Sequence, residues 1–210
     1  RTGVKKYAMM LLHGDFRVSH VSTHVSLREA CDRVKKERVL ETIMLTWDAL
    51  LELGVKDPTI AVAGLNPHAG EDGLFGNEEV LEIAPAVEEA RKRGINIEGP
   101  IPPDTVFAKA LGMQYDAVVA MYHDQGHIPV KVAGFELDPT TKRWTSVKGV
   151  NMTLGLPILR TSVDHGTAFG KAGKGTASEE SMVDALLIAG TIAESRIAKG
   201  AVVEEEATKL

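Results

Sequence analysis

The chain has almost no cysteine, no long apolar run and no block of basic residues. Cys31 is the only cysteine in 210 residues. A disulfide framework within one chain is therefore excluded, and a reducing cytoplasm is the expected setting. No apolar run approaches the roughly 20 residues that cross a bilayer. The amino end, Arg1-Thr2-Gly3-Val4-Lys5-Lys6, lacks the apolar stretch of a signal peptide. It also lacks an initiator methionine, so the chain is expected to begin partway into a longer protein. A net charge of -5 without basic clusters argues against a nucleic-acid surface. No internal repeat or low-complexity segment is visible. What remains is ordinary globular composition, 44% hydrophobic and 25% charged, long enough for one large domain or two small ones.

The run Ala117-Val118-Val119-Ala120-Met121 has the pattern of a strand buried on both faces of a parallel sheet. It stops at Tyr122-His123-Asp124-Gln125-Gly126, and in open α/β sheets ligands bind at the carboxyl ends of strands. Tyr7 to Leu12 and Phe16 to Ser19 read as two strands joined by the turn His13-Gly14-Asp15. Ser26 and Glu29 have the spacing of a capping box. A helix follows to Gly54, with Val39, Ile43, Trp47 and Leu50 on one face and a possible break at Lys35 to Arg38. Thr59 to Leu65 is the next buried strand, ending at the polar loop Asn66 to Glu71. Asn77 to Arg93 reads as helix, regular from Pro85, with Gly94 as its stop. Gly99 to Thr105 reads as a stiff loop whose Asp104 caps a helix from Thr105 to Leu111.

Phe135 to Lys148 predicts a two-stranded excursion around Asp138-Pro139-Thr140. Val150 to Leu154 and Pro157 to Arg160 are short apolar segments, and Asp164 to Gly175 is a glycine-rich loop. A last helix, capped by Ser178, has Met182, Leu186, Ala189, Ala193 and Ile197 as its apolar stripe and Gly200 as its end. Strands alternating with helices predict a mostly parallel α/β sheet.

His24, His68 and His123 each sit in a loop near a strand end. Such loops can converge at one sheet edge, and neutral imidazoles suit zinc and related divalent ions. Three unrelated hydrogen-bonding histidines fit the spacing as well, because no short ligand motif such as HExxH occurs. Asp124 and Asp104 read either as orienters or proton acceptors, or as turn and cap residues. His13 and His20 read as surface or turn residues, and Cys31 as packed within a helix. Lys131, Asn151 and Arg160 suit a phosphate or carboxylate, or simply face solvent. The loop from Asp164 to Gly175 lets backbone approach a ligand closely, yet it is neither GxGxxG nor a Walker loop.

Three longer motifs, Leu65-Asn66-Pro67-His68-Ala69-Gly70-Glu71, Ala120 to Gly126 and Arg160 to Ala168, resemble the 4-hydroxythreonine-4-phosphate dehydrogenase (PdxA) family of vitamin B6 biosynthesis. Thr23-His24, Gly99-Pro100 through Thr105 and Val150-Asn151 fit at matching places, so the resemblance covers nearly the whole chain. It implies a two-lobed α/β/α fold like that of isocitrate and isopropylmalate dehydrogenases. Residues 1–129 would form the middle, dimer-forming lobe with the metal site, and residues 130–210 the returning part of the dinucleotide-binding lobe. The implied reaction is oxidation of a secondary alcohol of a phosphorylated hydroxy acid by NAD or NADP, after which the 3-oxo acid loses carbon dioxide. His24, His68 and His123 would hold a divalent metal (zinc, magnesium or cobalt) shared between the subunits of a homodimer. Lys131, Asn151 and Arg160 would bind the phosphorylated substrate, with Asp124 and Asp104 as catalytic candidates. Asp164, His165, Gly166, Thr167, Ala168 and Gly173 would take the adenosine end of the dinucleotide.

Two departures stand out. Family members carry an N-terminal segment with a substrate-contacting Gly-His-Thr motif that is absent from this sequence. The segment Glu136 to Lys148 is longer than in the vitamin B6 enzymes and resembles the branch acting on D-threonate or D-erythronate 4-phosphate. Two other readings stay open: a metal-dependent hydrolase or aldolase using the same histidines, and a non-catalytic dimerisation module.

Overall fold

A computed structural model describes residues 2–142 and 144–207, with side chains described as far as residue 200. It is a three-layer α/β/α sandwich around one seven-stranded sheet. In chain order the strands and helices are β1 (Ala8–His13), β2 (Phe16–His20), α1 (Leu27–Asp32), α2 (Lys36–Glu52), β3 (Ile60–Ala63), α3 (Ala84–Lys92), β4 (Ile97–Ile101), α4 (Pro103–Leu111), β5 (Ala117–Ala120), α5 (His123–Gly134), β6 (Phe135–Leu137), β7 (Trp144–Val147), β8 (Val150–Leu154), β9 (Thr161–Val163) and α6 (Glu180–Ala207). Among the described residues, no helix is long and apolar enough to cross a membrane.

The spatial order of the sheet is β4-β3-β5-β2-β1-β8-β9. β4, β3, β5 and β2 pair in parallel, whereas β2-β1, β1-β8 and β8-β9 pair antiparallel. The sheet is thus mixed, which corrects the mostly parallel expectation. The tight turn after β1 can only return an antiparallel neighbour. Residues from both sides of position 129 contribute strands to this sheet.

Alternation along the strands sends side chains to two cores. Ile60, Val62, Val119 and Met121 pack under α2 and α3, while Ala8, Met10, Met152 and Leu154 continue that layer under Ala185 and Ile192 of α6. Ala61, Ala63, Val18, Val118 and Ala120 face the other way, against Val106 and Ala110 of α4 and Val130 of α5. Sixteen buried residues in the first cluster and eleven in the second make both faces of the central strands dry, which is why those strands read as unbroken apolar runs.

Several local expectations change. Only half of the capping box forms: Ser26 Oγ accepts from Glu29 N, but the Glu29 carboxylate pairs with Arg33. The helix does break in two, but at Arg33 to Lys35, just ahead of the charged patch, whose Lys36 to Arg38 open α2. Gly99 to Ile101 belongs to β4 rather than to a loop, because its backbone pairs with β3. Asp104 lies inside the first turn of α4 and does not cap it; Pro102 occupies that position. The polar stretch after β5 is not a loop, since α5 begins at His123 itself. The two-stranded excursion forms as β6 and β7, with Asp138 Oδ1 accepting from Thr140 N and Thr141 N in its turn. The apolar segment Pro157 to Arg160 forms no strand, and β9 starts only at Thr161.

The last helix runs through Gly200 to Ala207. Its buried face carries Ser181, Ala185 and Ile192, while Met182, Leu186 and Ile197 are exposed. The expected stripe is therefore rotated away from the sheet.

Candidate functional site

The site is built where β2 and β5 end side by side. Their parallel pairing continues past both strands: Val21 N donates to Ala120 O, and Ser22 N and Ser22 Oγ donate to Met121 O. This zipper carries the loop holding His24 alongside the first turn of α5. The rings of His24 and His123 lie 5.4 Å apart, tilted by 57°. A cavity of about 510 Å³ opens beside them, lined by Thr23, His24, Tyr122, His123 and Asp124 among others. Gln125 ties this corner to the neighbouring strand, accepting from Met121 N and donating to Gly64 O just before the loop of His68.

Asp124 Oδ1 lies 2.7 Å from His123 Nδ1. A carboxylate accepts, so Nδ1 carries a proton and, in the neutral ring, the lone pair sits on Nε2. That tautomer leaves Nε2 as the atom able to ligate a metal. Two imidazoles and an orienting carboxylate make a donor set suited to a divalent ion, but an incomplete one. His68 is exposed on a turn in which residues 68–72 all have positive φ, and its ring neighbours Phe75 at 6.0 Å rather than the other histidines. Among the described residues of one chain, no group of three or more metal-type ligands converges. The geometry brings two of the three expected ligands together and leaves the third apart.

His20 corrects the reading of a surface residue: it is fully buried, because β2 is covered by α5 on that face. Its Nε2 meets His127 Nδ1 at 3.1 Å, and His127 stacks on His123 with centroids 3.6 Å apart and planes within 12°. Burial, aided by the neighbouring histidines, lowers the His20 pKa to about 3 and that of His127 to about 4. Both rings are neutral at physiological pH. His127 was absent from the sequence reading, although the HDQGH spacing from His123 would have found it: residues four apart on a helix share a face. Gly126 makes the approach possible, since a Cβ there would collide with His20 Nε2 and meet Val18 Cγ1 at 2.8 Å.

The three expected anion-binding residues share one sheet face. Strand register aligns Asn151 with Leu11 of β1, on the side covered by α5. Arg160 Nη1 donates to Thr153 Oγ1, two residues along the same strand face. Lys131 projects from α5 with its Nζ 3.8 Å from Asp164 Oδ2. Asn151 Oδ1 and Asp164 Oδ2 are buried without a hydrogen-bond partner among the described residues. Burial pushes the Asp164 carboxyl above its usual pKa, opposed by nearby Lys131. Polar atoms left without partners in such a place call for a water, an ion or a polar ligand. Beyond Asp164 the glycine-rich loop is exposed from Gly166 to Gly175, with one short helical turn at Phe169–Lys171. His165 Nδ1 folds back to Gly166 O at 2.9 Å. Asp104 is exposed on α4 and, among the described residues, makes no side-chain hydrogen bond or ion pair.

Known proteins resemble this chain closely. A Bradyrhizobium diazoefficiens protein named "Putative D-threonate 4-phosphate dehydrogenase" is 57% identical over 185 residues, which cover 88% of this chain and 54% of that one. A protein of the same name from Oceanobacillus iheyensis is 52% identical over 186 residues, covering 88% of this chain and 53% of that one. The crystal structure of 4-hydroxythreonine-4-phosphate dehydrogenase from Klebsiella pneumoniae superposes with a TM-score of 0.76 at 46% identity, covering 91% of this chain and 55% of that one. The chain thus spans about half the length of the curated relatives it matches. Residues 1–189 match the family described as "Pyridoxal phosphate biosynthetic protein PdxA", and the chain belongs to that family.

Proposed function

We propose that the protein is a metal-dependent NAD(P) oxidoreductase for a 4-phosphorylated hydroxy acid, oxidising its secondary alcohol to a 3-oxo acid that then loses carbon dioxide. D-Threonate 4-phosphate is the favoured substrate, on the names of the relatives that are more than half identical to this chain over the matched residues. The observation that carries the reading is the pairing of His24 with His123, whose Nδ1 is held by Asp124.

His24 and His123 of one subunit would hold the cation, with His68 contributed by a partner subunit of a homodimer. Separation of His68 from the other two within one chain is what such sharing requires. When bound, the cation supplies Lewis-acid stabilisation of negative charge developing on substrate oxygen, and a nicotinamide dinucleotide supplies the hydride acceptor.

The chain's own residues do the rest. Asp124 keeps the proton of His123 on Nδ1, so Nε2 stays available. Lys131 and Arg160 offer positive charge to the substrate phosphate, as a point charge and as a planar fork respectively. Asn151 presents a buried oxygen to a substrate hydroxyl. Asp104, exposed on α4, is available to move a proton. The exposed loop from Asp164 through His165, Gly166, Thr167 and Ala168 to Gly173 would take the adenosine end of the dinucleotide, its glycines allowing close backbone approach. Residues 1–129 would then serve as the dimer-forming lobe and 130–210 as part of the dinucleotide lobe.

The test is a panel of 4-phosphooxy-L-threonine, D-threonate 4-phosphate and D-erythronate 4-phosphate, given to the natural full-length protein with NAD or NADP. Absorbance of reduced nicotinamide is recorded before and after chelation of metal. Reduction that stops on chelation and returns with zinc, magnesium or cobalt is expected. Metal-dependent turnover without reduced nicotinamide would instead indicate a hydrolase or aldolase, and absence of both metal and dinucleotide binding a dimerisation module.

A further inference from the structure

Four imidazoles form a series from core to surface. His20 is fully buried, His127 is 7% exposed, His123 is half-buried and His24 is exposed. Hydrogen bonds decide the tautomers of the inner two. His127 Nδ1 lies 2.9 Å from His123 O, and a carbonyl oxygen can only accept, so His127 Nδ1 carries a proton. The same N–H reaches His20 Nε2 at 3.1 Å, which must therefore offer a lone pair. The His20 proton is then on Nδ1, where Met9 O accepts it at 3.3 Å. Donation runs one way, from α5 through β2 to the backbone of β1.

Flipping the His127 ring would break both contacts of its Nδ1. Nor can the ring move inward, because α5 already touches β2 through Gly126, where even a methyl group has no room. This immobile ring lies flat against His123 at 3.6 Å. Asp124 grips the edge of His123 at Nδ1. One partner sets the plane of the ring and the other sets its rotation within that plane.

We propose that His127, anchored by His20, is a positioning residue for His123, holding its Nε2 lone pair in a single direction before any cation arrives. The proposal rests on the reading that His24 and His123 bind a divalent ion. A ligand held in place loses little rotamer freedom on binding, and supporting residues of this kind typically account for roughly 10- to 100-fold in metal affinity. His127 touches neither substrate nor cation; it acts through His123.

The experiment measures Zn²⁺ affinity by competition with a chromophoric chelator, and the visible absorption of the Co²⁺ form, on the full-length protein. His127→Ala is expected to weaken Zn²⁺ binding by roughly 10- to 100-fold and to shift the Co²⁺ bands, with the thermal midpoint of the metal-free protein recorded alongside. His127→Phe keeps a flat ring against His123 and is expected to recover most of the affinity. It also serves if the alanine variant fails to fold, with His127→Leu as its partner of similar bulk but no ring. His24→Ala is the control for the underlying reading. Loss of affinity in His24→Ala with wild-type affinity and spectrum in His127→Ala, or with equal affinities in the Phe and Leu variants, overturns the positioning role and leaves the metal site standing. Wild-type affinity in His24→Ala overturns the metal reading and the proposal with it.

Discussion

At Glu79 a carboxylate only 2% exposed accepts hydrogen bonds from Leu65 N, Asn66 N and Asn66 Nδ2. These donors open the turn that carries His68. The turn then passes through six consecutive residues of positive φ, His68 to Gly73, four of them not glycine, a conformation that side chains disfavour. Glu79 is what holds its entrance closed. Removing it strands buried N–H groups, each at about 1–3 kcal/mol. Glu79→Ala is therefore expected to lower the unfolding free energy by about 3 kcal/mol or more, read as a lower urea midpoint. Glu79→Gln keeps one acceptor oxygen and should lose less. A wild-type midpoint for the alanine variant would show that the turn stands without its carboxylate. Glu79 lay within the helix expected from Asn77 to Arg93, and nothing local sets it apart. Its partners lie 13 and 14 residues back in sequence, beyond the reach of helical or strand periodicity.

Among the elements, α6 shows how an apolar helix can mislead. Met182, Val183, Leu186, Leu187 and Ile197 are all exposed, yet each would suit a core. When apolar residues surround a helix, a 3.6-residue period fits more than one stripe. The sheet chose Ala185 and Ile192, which meet Met152, Leu154 and Ala49. Ile192→Ala is expected to cost about 2–5 kcal/mol, whereas Leu186→Ser should change stability by no more than about 0.5 kcal/mol. Chemical denaturation of the two variants checks this; equal losses would restore the stripe expected from sequence. The opposite error occurred at α5. His123 was expected in a loop, yet it opens the helix, and Gly126 is there for close packing against β2. Strands β1, β2, β3 and β5 were legible because their side-chain patterns are local signals. β4 was not, since Gly99 and Pro100 contradict strand propensity and only pairing with β3 makes it one.

For the whole molecule, the buried histidines couple folding to pH. His20 faces His127 of α5 and the Met9 carbonyl of β1, with His123 and His24 farther off. Its pKa falls from 6.5 in the unfolded chain to about 3 in the folded one. Above the higher value neither state holds the proton. Below it the unfolded chain takes up a proton that the folded chain refuses, so stability falls as pH drops towards the lower value. The slope is about 1.4 kcal/mol per pH unit, or about 2 kcal/mol between neutrality and about pH 5. Unfolding free energies measured across that window should decline faster for the wild type than for His20→Gln, by close to one proton. Parallel lines for the two proteins would mean that His20 is charged in the fold.

The residues themselves determined the buried strands, the placement of His24, His68 and His123 near strand ends, and the motifs that resemble the PdxA family. Each depends on neighbours within a few positions, where side-chain period and backbone preference act directly. Tertiary structure alone decided that His20 is buried and linked to His127, 107 residues away. It also decided that Lys131, Asn151 and Arg160 share a face, and that His68 stands apart from the other two imidazoles within one chain. Alternation along a strand offers two faces without saying which helix will cover either. That choice waits on which strands become neighbours, and the pairing of β2 with β5 made it here.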